Sequence, residues 1–436
     1  VLIALAIVAL LPVAFIAARF ALRAPLRILL PLYGALVPFG SGITLPIPLP
    51  NPFNTLTTLV GLALVLALIL HLVVVRTSAP RILPEVGAWL AFAAVNGMTY
   101  MWSIDRATTA ELFGILVSLL ALYVLVALMP INRIDLHRFC DIIVVGGALA
   151  CAYGFYLLFS GNLPEENAGL PRFATAGGVG DASDPNITAA TLVLPLVLAL
   201  SRALRATSAT TRLLAGSATA IIAAGLLLTA SRGGTFAAIV AILVLLAHER
   251  HPGRVAVGVA AALVVVFLVG AALAPEQVER LSKTDSSGRT DIWTVAEAAC
   301  PDYCVIGSGL NTFTDVHRRF YLVSPSAAGV RIDERPHNIW LGTAIELGLP
   351  GLATLLVGLV LTLRTLSRLP RNDRGAPLAA LAGVLVSNMF LANIYFKYFW
   401  LVLVYAAVAA LATREHPADL MLSTPTSARS LQRTAQ

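Results

Sequence analysis

The sequence predicts an all-α polytopic membrane protein, and three observations carry that prediction. Of 436 residues, 58% are hydrophobic and only 12% are charged, whereas a soluble domain is roughly 25% charged. The mean hydropathy is +0.85. Apolar runs of about 18 or more residues recur along the whole length, enough for a helix to cross a bilayer. Ten-residue alternating segments, the mark of a membrane barrel, are absent.

Thirteen apolar segments follow in order, at roughly 1–18, 28–45, 55–75, 85–102, 108–128, 139–160, 187–201, 213–230, 233–247, 255–274, 338–363, 377–394 and 398–413. The chain opens on Val1 and reads as trimmed or processed there. Segment 1–18 has no basic stretch before it and no clean small-residue cleavage site before Arg19. It is therefore read as a span and not as the core of a signal peptide. The count is 12 to 13 transmembrane helices.

The connectors alternate in chemistry. One set, "RFALRAPLR", "RTSAPR", "NRIDLHR", "SRALRATSATTR", "HERHPGR" and "RTLSRLPRNDR", is dense in arginine. The other set is "PIPLPNPFN", "SIDR", 161–186, "SRGG", 275–337 and "NIYFKY". The positive-inside rule puts the first set in the cytoplasm and the second outside. The chain then divides into N-terminal helices (1–274), a large outer loop (275–337), C-terminal helices (338–413) and a disordered cytoplasmic tail (414–436). Helical pieces are expected in the loop around 276–282 and 290–299. The net charge of +7 reflects this topology, not a nucleic-acid partner.

Cys140 and Cys151 fall in an apolar run and read as small core residues. Cys300 and Cys304, in "CPDYC", suit a short-loop disulfide in an oxidising compartment; a metal pair is the alternative, but no further Cys or His lies at ligand spacing. Neither lysine, Lys283 or Lys397, ends a phosphate loop, and HExxH and GxSxG are absent.

The outer connectors carry arginines that run against the orientation bias. Arg232, in "TASRGGTF", is the sharpest case, because a guanidinium at that depth needs an anion or a wet cavity. It reads either as snorkelling to lipid phosphates or as a phosphate clamp beside Gly233 and Gly234. Arg289 reads as a loop ion pair with Asp285 or Asp291, or as a functional cation. His337 reads as an interfacial helix cap with Trp340 as a belt residue, or as a functional imidazole. Arg172 lies in "LPRFATAGG". Asp181 and Asp184 lie in "GDASDPN", where Asp184 is read first as a helix cap and second as half of a metal-binding carboxylate pair with Asp181. Glu346 would lie about 13 Å deeper than His337 on a continuous helix, where it is expected to orient the bundle near Asn388 or Asn393.

Taken together, "PRF" before "DPN", then "SRGG", "GRTDIW", a long loop and "HNIWLGTAIELGLPG" resemble the O-antigen ligase and polymerase family of bacterial envelope glycosyltransferases. The resemblance covers roughly 85–412 and is strongest between 170 and 355. "CPDYC" and the extra N-terminal segment depart from the family pattern. The resemblance implies a GT-C-like helical fold in the bacterial inner membrane and a periplasmic active site. It also implies metal-independent transfer of O-antigen from undecaprenyl diphosphate to the lipid A-core, with no cofactor. Carried to matching positions, His337 is the catalytic residue, and Arg232, Arg289 and Arg172 bind the diphosphate. Apart from the resemblance, Arg335 and Arg319 are candidate acceptor or phosphate contacts, with a lipid anchor the alternative for Arg335. Fixed guanidiniums suit the charge that develops on a departing diphosphate. A neutral His337 suits removal of the acceptor hydroxyl proton, a contribution of typically about 10²–10⁴ in rate. The chemistry expected is a direct, inverting displacement. The basic loop residues Arg318, Arg319, Arg331 and Arg335 favour a phosphorylated lipid A-core acceptor. An O-antigen polymerase, a protein O-glycosyltransferase of the same family and an organic-anion transporter are the alternatives weighed.

Overall fold

A computed structural model describes residues 24–40, 42–46, 53–74, 82–162, 172–175, 183–249, 252–282, 288–323, 334–391 and 394–414. Fifteen α-helices are described: α1 (Leu29–Leu36), α2 (Leu56–Val74), α3 (Pro84–Met98), α4 (Arg106–Ala127), α5 (Arg133–Phe159), α6 (Pro185–Arg205), α7 (Ala209–Leu228), α8 (Arg232–Ala247), α9 (Pro252–Leu273), α10 (Pro275–Ser282), α11 (Arg289–Tyr303), α12 (Phe313–Phe320), α13 (Ile339–Ser367), α14 (Arg371–Asn388) and α15 (Lys397–Arg414). Eight of them are long and apolar enough to cross a membrane. The chain is an all-α polytopic membrane protein, the form in which a spanning backbone satisfies its own hydrogen bonds.

Twelve of the thirteen expected segments are helical; segment 1–18 and the tail 415–436 lie outside the described residues. The boundaries move where polar residues cap. Asn132 and Asp135 form a capping box that starts α5 at Arg133, six residues before its apolar run. Asp105, Ser208 and Asn338 cap α4, α7 and α13 in the same way. At the other extreme, α1 runs only through a 3-10 turn to Phe39, short of the expected 28–45, because Pro38 is followed by Gly40 at φ +48°. α6 and α15 are buried along nearly their whole length, as a helix apolar all round must be. The remaining helices pack about them, α8 against α14, α3 against α13 and α1 against α5.

The two sets of connectors separate in space as their chemistry predicts. At one end Arg27 pairs with Asp135 (3.1 Å), Arg133 with Asp373 (3.0 Å), Arg202 with Asp141 (3.4 Å) and Arg205 with Glu249 (3.2 Å). Most of these arginine side chains are more than a third exposed, so each pair contributes little alone. At the other end the Thr175 hydroxyl donates to the Pro38 carbonyl (2.6 Å), and the Ile104 amide donates to Ser308 (2.9 Å).

Within the large loop the expected helices are present as α10 and α11. The third helix, α12, was not anticipated. α11, α12 and the first turns of α13 share a small core of Ile292, Ala296, Ala299, Phe313, Val316 and Ile345. Cys300 and Cys304 are joined in a disulfide at the end of α11.

α13 is not one continuous rod. Gly348 has φ +67° and ψ −170°, a conformation essentially reserved for glycine. The break frees backbone groups, and the chain after the disulfide takes them up. Ser308 and Gly309 amides donate to the Ile345 and Glu346 carbonyls (both 2.9 Å), and the Leu349 amide donates to Cys304 (2.8 Å). Glu346 is buried there, and its carboxylate accepts the amides of Asn311 (3.0 Å) and Phe313 (3.3 Å) at the start of α12. Its role is therefore to hold the loop to α13. Asn388 bonds instead to Tyr398 and the Val384 carbonyl, and Asn393 lies outside the described residues.

Candidate functional site

The α7–α8 junction is built from three residues. Thr229 ends α7, Ala230 takes a left-handed φ of +48°, and Ser231 caps α8 by accepting the Gly234 amide (3.2 Å). Arg232 is then the first residue of α8 and projects from its N-terminal turn. A Cβ at Gly234 would meet Ala189 at 2.3 Å, and one at Gly233 would meet Phe390 at 3.0 Å. The close approach these glycines permit is thus made by protein, which replaces the expectation that they open room for a phosphate.

Arg172 reaches the same junction from a distant stretch. Its Nε donates to the Thr229 carbonyl (2.8 Å) and a terminal nitrogen donates to Asn186 Oδ1 (3.3 Å). The Ser231 hydroxyl donates to the same Asn186 oxygen (2.9 Å). Arg172 is only 2% exposed, and it satisfies a carbonyl that the end of α7 leaves without a helical partner. Asp184 caps α6 by accepting the Asn186 amide (2.6 Å), as its sequence position suggested. Asp181 lies outside the described residues.

Arg289 opens α11 behind Gly288, whose φ is +77°. Its guanidinium lies 5.6 Å from the centre of the Phe390 ring, within cation–π range. Phe390 in turn meets Phe236 edge-on at 6.4 Å and packs on Gly233, so one ring links Arg289 to the turn carrying Arg232. Among the described residues Arg289 has no carboxylate within ion-pair distance. Its pKa is pushed down by burial first, and then by the fields of Arg232, Arg172 and Arg280, with Asp184 opposing.

His337 sits in the strand of chain leading into α13. The Trp293 indole donates to the Pro336 carbonyl (3.2 Å), pinning that chain to α11. Asn338, not His337, caps the helix, accepting the Trp340 and Leu341 amides. Trp340 packs against the main core. His337 holds φ at +43°, a conformation that costs a non-glycine residue about 1–2 kcal/mol. Its pKa is pushed down to about 4 by burial, then by Arg289 and Arg335. The imidazole is therefore neutral at neutral pH. Glu334 Oε2 stands 4.0 Å from its Nε2.

Arg289 thus lies within electrostatic reach of Arg172 and Arg232, and His337 within reach of Arg289 and Arg335, although these residues span more than 160 positions of sequence. Arg319 does not join them: its guanidinium donates to the Tyr303 hydroxyl (3.0 Å), and Arg318 pairs with Asp315 (3.2 Å). Arg331 lies outside the described residues. Sequence reasoning missed Arg280, Asn186 and Phe390. Only Asn186 had a signal, inside the "DPN" already noted.

Residues 217–356 match the family model described as O-antigen ligase. Over those residues the chain is similar to that family. It spans Arg232, Arg280, Arg289, Arg335 and His337 but stops short of Arg172, a narrower range than the 85–412 resemblance. No curated protein sequence matches the chain.

Proposed function

From the similarity of residues 217–356 to the O-antigen ligase family, we propose that this chain is an O-antigen ligase of the bacterial inner membrane. It moves the glycan from undecaprenyl diphosphate to a sugar hydroxyl of the lipid A-core at a periplasmic site, within a GT-C-like bundle. The single observation that carries this reading is the gathering of guanidiniums around Arg289, which with Arg335 also acts on the neutral His337 imidazole, at the end of the bundle opposite the ion-paired arginines. The disulfide in the same end supports an oxidising compartment for it.

The chemistry follows from the charges. The acceptor oxygen attacks the anomeric carbon as the bond from that carbon to the diphosphate oxygen breaks. The bonding pair leaves with the diphosphate, which gains one negative charge. Arg232 and Arg289 meet that charge directly, and fixed guanidiniums stabilise it without reorganising. Arg172, committed to Thr229 and Asn186, holds the turn that presents Arg232. The acceptor proton passes to His337, whose neutrality leaves a nitrogen lone pair free. Inversion follows from one displacement, and no step requires a metal or nucleotide.

A second reading, O-antigen polymerase, is favoured by one observation. Arg318 and Arg319 are engaged with Asp315 and Tyr303, which leaves less open basic surface for a phosphorylated core. Reconstitution with purified undecaprenyl-diphosphate glycan decides between them. Ligated lipid A-core of inverted configuration, formed with chelator present, is expected. Elongated lipid-linked glycan in its place would establish the polymerase. Retained configuration would overturn direct displacement, and full turnover in His337→Ala would overturn the base assignment.

A further inference from the structure

His337 stands between opposite charges. Arg289 and Arg335 act on the imidazole as cations, while Glu334 Oε2 faces Nε2 at 4.0 Å. Among the described residues neither ring nitrogen makes a hydrogen bond. At 4.0 Å the carboxylate is just beyond bonding distance, and closing by about 1 Å would make one. Catalytic hydrogen bonds are often long before substrate binds and tighten in the complex. The backbone favours this pairing. Trp293 pins Pro336, Asn338 is fixed as the cap, and between them His337 holds a positive φ with its Nε2 4.0 Å from Glu334 Oε2. A strained non-glycine conformation held on both sides persists where the surroundings over-determine it.

Resting on the reading of His337 as the base, we propose that Glu334 is its positioning residue. Its carboxylate takes the Nε2–H of His337, fixes the ring and leaves Nδ1 as the nitrogen that accepts the hydroxyl proton. The partner of one ring nitrogen sets the tautomer of the other, and a base oriented by a third group is the usual arrangement for activating a hydroxyl. When Nδ1 takes the proton, the imidazolium forms beside two guanidiniums, and among the described residues Glu334 is the anion placed to offset them. The proton arrives from the acceptor, no covalent bond to protein forms, and the carboxylate remains ionised throughout.

The test uses the full chain in lipid nanodiscs with donor and acceptor. It compares wild type with Glu334→Gln and Glu334→Asp, reading kcat, donor KM and the acid limb of kcat against pH. Glu334→Gln is expected to lose about 10- to 100-fold in kcat with donor KM within threefold, a loss at or below the general-base range. Its acid limb should move to lower pH, since removing an anion makes the imidazolium less stable. Glu334→Asp should recover part of kcat. A Gln variant within twofold of wild type, or a loss with the acid limb unmoved, overturns the proposal and leaves His337 as base intact. Loss of the base reading shows separately, as unimpaired turnover in His337→Ala. Should Glu334→Gln not fold, nitrogen-15 spectra of histidine-labelled wild type with donor bound decide: protonated Nε2 with bare Nδ1 is expected, and the reverse tautomer refutes it.

Discussion

Replacing Gly348 by alanine tests the joint between the outer loop and α13. At φ +67° and ψ −170° the backbone is in a region that costs a non-glycine residue about 1–3 kcal/mol. The new Cβ would lie 2.6 Å from the Ile306 carbonyl carbon and 2.6 Å from the Val305 oxygen. Both are backbone atoms, so no side-chain rotation relieves the overlap. The 305–307 segment must move, and it is held by the Ser308–Ile345, Gly309–Glu346 and Leu349–Cys304 bonds. Each is worth about 0.5–1.5 kcal/mol net. With two of them lost, the expected destabilisation is about 3–5 kcal/mol. Gly114→Ala is the control: Gly114 lies within α4, and nothing is within 4 Å of its Cβ position. That change should be neutral or stabilise by about 0.5–1 kcal/mol. Thermal unfolding of both variants in detergent, with proteolysis of the 300–323 region as a local probe, measures the difference. Equal melting and equal protection of that region in the two variants would refute the splice as the anchor of the loop.

Three further outcomes are expected. Arg172→Met, which strips the Thr229 carbonyl and Asn186 of their buried partner, should destabilise by about 2–4 kcal/mol, and Arg172→Lys should not restore it, for lack of a planar fork; melting within about 1 kcal/mol of wild type counts against it. Glu346→Ala, which leaves the Asn311 and Phe313 amides unpaired, should cost about 2–3 kcal/mol, seen as early proteolysis at α12 before global melting. His337 has a folded pKa of about 4 against an ordinary 6.5, so the unfolded chain takes up its proton first; the stability it contributes is fully present above pH 6.5 and is lost as pH falls to about 4, up to about 3 kcal/mol. Direct titration of His337 by nitrogen-15 NMR giving a pKa near 6.5 would contradict that.

The bundle was legible because two strong signals run through the sequence, apolar length and arginine placement. Together they separate the two ends that the structure separates. Helix starts were less legible, since capping residues such as Asn132 extend α5 beyond its apolar run. The break in α13 had a written signal: "ELGLPG" holds Gly348, Pro350 and Gly351, punctuation that ends helices. Reading Glu346 on a continuous helix ignored it. Arg232, Arg289 and His337 were found from motif order. Arg280 and Phe390 were not, because each joins the cluster only through packing between segments remote in sequence. Arg319 was grouped with the others by charge alone, and charge does not say which way a helix faces.

In the proposed reaction the arginines act on both partners at once. The Arg289 that meets the leaving diphosphate is also, after burial, the stronger of the two cations holding the His337 pKa near 4. An imidazole so depressed is available at neutral pH but is a weak proton acceptor. A diphosphate bound at Arg232 and Arg289 would cancel much of the positive field, and the imidazole would recover basicity. Among the described residues five guanidiniums (Arg172, Arg232, Arg280, Arg289 and Arg335) stand against Asp184 and Glu334. That surplus disfavours an imidazolium until an anion arrives. The base is then competent chiefly when the donor is in place, which ties acceptor activation to donor binding without a moving part. In this proposal activation of the acceptor follows binding of the donor, whichever of the two arrives first.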